Sequence, residues 1–188
     1  MEIINGFNRK CKDGSSGVSN IWLLKFKKYN RSQIVTDGNY LVSFPETFIY
    51  EFNSVQNPTP TETMEINNGG KFYNQSISLT FPTSSTKDIN ELSSLEFRLL
   101  FKDNNGKYRI FGLYNGLNSG NVTYTTGSGK SDLNGIKIDF QGKEEDSAYF
   151  ISDLNSAGFI DMGTEEPFFF LYQNGDRILF QDGTFFLN

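Results

Sequence analysis

The segment Leu95–Leu117, LEFRLLFKDNNGKYRIFGLYNGL, sets the tightest constraint on the fold. Two strand-like runs flank a turn at Asp103-Asn104-Asn105-Gly106, and a second Asn-Gly turn follows at Asn115-Gly116. Asn-Gly pairs supply the positive φ angles that tight hairpin turns require. Gly135–Phe140 (GIKIDF) reads as a further strand, closed by Gln141-Gly142. Together these features predict a meandering sheet.

The rest of the chain extends that pattern. Ile21–Tyr29, Tyr40–Phe44, Phe48–Phe52 and Phe72–Phe81 read as strands, and Met64–Ile66 as a short one. Pro58 and Pro60 mark a loop at residues 53–63, and Gly69-Gly70 marks a turn. The 19 Phe and 9 Tyr favour strands and bury large areas. One helix is expected over Lys87–Ser94, capped by Ser84-Ser85-Thr86 and carrying Ile89 and Leu92 on one face. Asn118–Asp132 reads as a mobile loop around a weak strand at Val122–Thr125. A length of 188 residues suits one β domain, residues 1–160, with a short-strand extension at 161–188.

That extension has its own pattern. LYQNGD and LFQDG form a near-repeat of very short strands joined by tight turns. Its aromatics, Phe168, Phe169, Phe170, Tyr172, Phe180, Phe185 and Phe186, are too few to build a core alone. They need a surface to cover, on the parent domain or on a neighbouring subunit.

Charge is uneven along the chain. Residues 1–31 hold seven basic residues against two acids, and residues 144–188 hold nine acids against Arg177 alone. Lys25, Lys27 and Lys28 at one end and Glu144, Glu145 and Asp146 at the other are candidate contact residues for head-to-tail assembly. Two solvated faces, or pairing within one subunit, are the alternatives.

Catalytic equipment is sparse. The chain has no His, which removes the usual general base, the usual triads and the commonest metal ligand. Cys11 is alone and reads as a small buried residue. The acidic clusters Glu144-Glu145-Asp146 and Glu165-Glu166 read as solvated, and Asp103–Gly106 reads as a turn rather than a calcium loop. Gly127-Ser128-Gly129-Lys130-Ser131 lacks the first glycine of a phosphate-binding loop, since position 124 is Tyr124. Trp22 sits in an apolar run and is expected to be buried. No catalytic residue, cofactor or metal is assigned. No apolar run reaches the roughly 20 residues that cross a bilayer, and the first ten residues lack the apolar core of a signal peptide. A chain that is cytoplasmic when made, with no membrane partner, is the expectation.

Two stretches carry a family resemblance. Asn8–Trp22, with Cys11-Lys12-Asp13-Gly14 followed by Gly17-Val18 and an aromatic strand, resembles the start of structural proteins from phages of Bacteroidetes-type hosts. Lys102–Leu117 followed by Leu133–Ile151 resembles the core of tail-tube-like proteins of tailed bacteriophages. The resemblance implies a mainly β fold, an antiparallel β-sandwich or barrel with one short helix. It also implies a non-enzymatic virion protein, assembled in the host cytoplasm and resident in the tail. Copies would form a ring, six or twelve to the circle, beside other tail or neck proteins, with genomic DNA passing through unread. The C-terminal extension departs from a plain stacked tube and leaves hub or connector roles open. A β-sandwich module for host-surface carbohydrate is the competing expectation; it requires exposed aromatics around one pocket.

Overall fold

The computed structural model describes residues 17–52, 54, 57–67, 70–82, 94–126 and 134–161. Twelve strands are seen there: β1 (Val18–Lys25), β2 (Val35–Asp37), β3 (Tyr40–Ser43), β4 (Thr47–Glu51), β5 (Thr61–Asn67), β6 (Gly70–Pro82), β7 (Phe97–Asp103), β8 (Tyr108–Phe111), β9 (Asn118–Thr125), β10 (Gly135–Glu144), β11 (Tyr149–Ile151) and β12 (Phe159–Asp161). They form an eight-stranded sheet, ordered β12-β4-β1-β7-β8-β11-β3-β2, and a four-stranded sheet, ordered β5-β6-β10-β9. The expected mainly β, sandwich- or barrel-like architecture is therefore present.

One apolar layer lies between the two sheets. Ile77, Leu79 and Phe81 of β6 and Ile136, Ile138 and Phe140 of β10 meet Ile21, Leu23, Leu99, Phe101 and Phe111 of the larger sheet. The period-2 alternation of β10 explains its orientation, because Lys137 and Gln141 stay exposed on the far side. A second layer fills the inside of the curled eight-stranded sheet, where Trp22, Leu24, Leu41, Ile49, Leu100, Ile110 and Phe159 pack together. β1 and β7 are central and covered on both faces. That is why continuous apolar runs, IWLL in β1 and LLF in β7, rather than alternation, mark them in the sequence.

The curl closes at a corner. β3 passes into β4 through Phe44, Pro45 and Glu46, and beside it β11 passes into β12. Both neighbours run parallel, β11 with β3 and β12 with β4. Phe44 N–H donates to the Ala157 carbonyl, and Thr47 N–H to that of Gly158, so the ladder continues around the bend. Gly158 has φ +98°, and a Cβ there would stand 2.3 Å from the Phe44 carbonyl oxygen. These two parallel pairs are a departure from a purely antiparallel expectation.

Other expectations change in detail. The hairpin turn at Asp103–Gly106 forms as read: the Asp103 carboxylate accepts the N–H groups of Asn105 and Lys107, both at 2.9 Å. The Met64–Ile66 strand is the middle of a longer β5, because it pairs throughout with β6. Gln141-Gly142 does not close β10, which runs on to Glu144 opposite Tyr73. The weak strand read at Val122–Thr125 is the second half of β9, and residues 118–121, expected as loop, belong to it too, because β10 gives them a partner ladder. The segment after β1 turns at Asn30 into one 3-10 turn, Arg31–Gln33. The expected helix, Lys87–Ser94, lies outside the described residues except for Ser94, and the extension, 161–188, except for Asp161, which belongs to β12; Cys11 also lies outside them.

Candidate assembly site

The candidate contact residues sort into three places. Phe168, Phe169, Phe170, Tyr172, Phe180, Phe185 and Phe186 lie outside the described residues. Lys25, Lys27 and Lys28 are exposed at the end of β1 and on the segment that follows. Glu145 and Asp146 are exposed just after β10, but Glu144 is only 3% exposed. Glu144 is thus an interior group in this protomer and not part of an acidic contact surface.

The reason is a polar seam that joins the two sheets. Glu144 Oε1 accepts the N–H groups of Tyr114 and Asn115 at 3.0 and 2.8 Å, and so caps the turn after β8. Asn115 Nδ2 returns a bond to the Lys143 carbonyl at 2.9 Å. Glu144 Oε2 is buried with no hydrogen-bond partner among the described residues. Burial pushes the Glu144 carboxyl up from its ordinary value, opposed by the two N–H groups and by Arg98. Gln75, also buried, accepts from Gly112 N–H at 2.8 Å and donates to Glu62 at 3.0 Å. Glu62 in turn accepts from Ala148 N–H at 2.7 Å.

A buried cation holds the segment that carries the lysines. Arg98 is 2% exposed; its Nε donates to the Leu113 carbonyl at 2.9 Å and its Nη2 to that of Lys27 at 2.8 Å. Its guanidinium lies over the rings of Phe26, Tyr29 and Phe44. Desolvation lowers its pKa to about 10, so it remains charged at neutral pH. Farther along, Arg31 pairs with Glu145 at 2.5 Å and lies over the Tyr114 ring. The basic and acidic ends of the sequence therefore meet within one protomer at this pair. Sequence reading offered that pairing as an alternative, but nothing in it singled out Arg98 or Gln75, whose partners lie on other elements.

The four-stranded sheet has two open edges. β9 and β5 each pair on one side only among the described residues. β9 carries no charged residue, and its Val122 and Tyr124 are 46% and 55% exposed. β5 exposes Met64 at 50% and Ile66 at 74%. Register places Val122 opposite Ile138 and Tyr124 opposite Ile136, on the core-facing side of the sheet. Met64 and Ile66 share the side of Glu62, whose partner Gln75 also faces inward. The two edges thus display apolar side chains on the same face, and no edge charge on β9 opposes pairing.

The other face of this sheet is polar. Thr61, Ser76, Ser78, Lys137, Asp139 and Gln141 line a shallow depression of about 230 Å³. Lys137 lies 3.7 Å from Asp139, which accepts the Ser78 hydroxyl. No exposed aromatic ring lines it, and Trp22 is buried as expected, with its Nε1 donating to Asp161 at 3.2 Å. A sugar-stacking platform is therefore not built there. Among the described residues no group of three His, Cys, Asp or Glu side chains could hold a metal ion, and no helix is long and apolar enough to cross a membrane. Comparison with protein-family models, curated proteins and solved structures finds no match to this chain.

Proposed function

We propose that this chain is a structural subunit that assembles with copies of itself by continuing its four-stranded sheet from copy to copy. The observation that carries the reading is the pair of open edges, β5 and β9, with exposed apolar residues on one shared face. An antiparallel sheet with an even number of strands has edges that run in opposite directions. A copy related by rotation about an axis parallel to the strands would then present β5 antiparallel to the neighbour's β9. Such a contact is heterologous and closes into a ring when the rotation divides the circle. Unpaired edge N–H and C=O groups would find partners, and Met64 and Ile66 would meet Val122 and Tyr124.

The polar face suits the inside of such a ring. Hydroxyl and amide groups with a neutralised Lys137 offer a wall past which a polyanion can move without being held. With the resemblance of Lys102–Leu117 and Leu133–Ile151 to tail-tube-like proteins, the reading becomes a ring of six or twelve copies in the tail or neck of a tailed phage. It would act as tube, hub or connector, beside other tail proteins, with no enzymatic step.

Light scattering after size-exclusion chromatography tests the contact. Val122→Lys and Ile66→Glu are each expected to convert the oligomer to a folded monomer. The double variant is expected to reassociate, because lysine of one copy then faces glutamate of the next. A wild-type monomer at every concentration, or assembly indifferent to both changes, overturns the reading.

A further inference from the structure

A second exposed patch lies on the eight-stranded sheet, around the end of β1. Phe48 of β4 is 58% exposed, and Leu95, just before β7, is 37% exposed. The β1–β4 register, Trp22 with Glu51 and Leu23 with Tyr50, runs on toward Lys25 and Phe48. The bond from Phe26 N–H to the Glu96 carbonyl carries the β1–β7 ladder on toward Lys27 and Leu95. Lys28 follows directly. None of the three lysines is ion-paired among the described residues. An exposed Phe and Leu fringed by three unneutralised cations is a surface that lacks its complement.

The chain itself carries that complement. On the far side of β4, Phe48 lies opposite Ile160 of β12, two residues before the segment that follows Asp161. β12 pairs with β4 alone among the described residues. Residues 162–188 hold Glu165, Glu166, Asp176 and Asp182 against Arg177, a net charge opposite to that of the lysines, together with seven Phe and Tyr side chains. From Asp161 to Phe168 an extended chain reaches about 23 Å, while adjacent strands lie only about 4.8 Å apart. The aromatic run can therefore fold straight back over Phe48.

We propose that the patch formed by Phe48, Leu95, Lys25, Lys27 and Lys28 docks the acidic, aromatic segment 165–188 of the same chain. The contact covers the two apolar side chains and neutralises the lysines. It does not depend on ring assembly, since it uses side chains of β1, β4 and the segments beside them and none on β5 or β9.

Photo-cross-linking of the full chain tests it. Phe48 is replaced by benzoylphenylalanine, and unlabelled and ¹⁵N-labelled copies are unfolded together, refolded and irradiated. Mass spectrometry is expected to find cross-links to peptides from 165–188 of the same isotopic copy. Reversing all three lysines to glutamate is expected to lower their yield several-fold, and the same probe at Val42 is expected to give none of them. Cross-links joining differently labelled copies, cross-links only to other segments such as residues 83–93, or a yield unchanged by the lysine reversal each overturn the proposal.

Discussion

Gly158 shows how one residue can hold a corner closed. Any side chain there meets the Phe44 carbonyl at 2.3 Å, in a backbone conformation with φ +98° that L residues rarely adopt. Gly158→Ala is therefore expected to cost about 3 kcal/mol, measured by urea denaturation; an unchanged midpoint would show the corner to be yielding. Glu144 makes a pH prediction. Its folded pKa lies above the ordinary value of 4.5, so its term favours folding below that value and is lost as pH rises through the folded pKa. Glu144→Gln keeps an acceptor for Tyr114 and Asn115 but cannot ionise. The stability of the natural chain relative to this variant is expected to fall as pH rises above the ordinary carboxylate range; parallel curves would contradict it. Glu144→Ala, by contrast, leaves both N–H groups uncapped and is expected to cost about 2 kcal/mol while Glu144 is protonated, and less as pH rises.

At the scale of elements, the segment between β1 and β2 is held from beneath by Arg98. A lysine at 98 can donate to one carbonyl but not in the fork that reaches both Leu113 and Lys27, and it loses the planar stack on Phe26, Tyr29 and Phe44. Arg98→Lys is expected to cost about 2 kcal/mol and to raise hydrogen exchange at residues 26–31 above that of β7. Equal protection in both variants would remove Arg98 from this role. Most strands were legible because their cause is local: alternation in Ile136, Ile138 and Phe140, turn chemistry at Asp103 and Gly106. Only the second half of β9 was, at Val122–Thr125, because NSGN has little strand signal of its own and forms on the ladder that β10 offers. Gln141-Gly142 misled for a related reason. Gly142 sits in the strand because a Cβ there would stand 2.4 Å from the Gly116 carbonyl, a close approach that only the tertiary structure reveals. The inward turn of Glu144 was hidden in the same way, since three consecutive acids look solvated until the turn at 112–116 is placed beneath them.

For the whole molecule, the two sheets divide the labour. The eight-stranded sheet closes on itself through the β3–β4 corner and carries its own apolar filling. The four-stranded sheet has no such corner; its β5 and β9 edges, like β12 and β2 at the ends of the larger sheet, have one partner each among the described residues, and β5 and β9 are where copies are proposed to join. The charge asymmetry of the sequence does not by itself demand a second copy, because Arg31 and Glu145 already meet. Assembly through the uncharged β9 is therefore expected to be less sensitive to salt than a contact built on opposite charges.

A cryo-electron microscopy reconstruction of the assembled protein tests this most directly. It should reveal a closed circle of six or twelve protomers whose inner wall is one unbroken antiparallel sheet, four strands from each, with β9 hydrogen-bonded to the next protomer's β5. Particles in which both of these strands face solvent, or which contain a single chain, would contradict it.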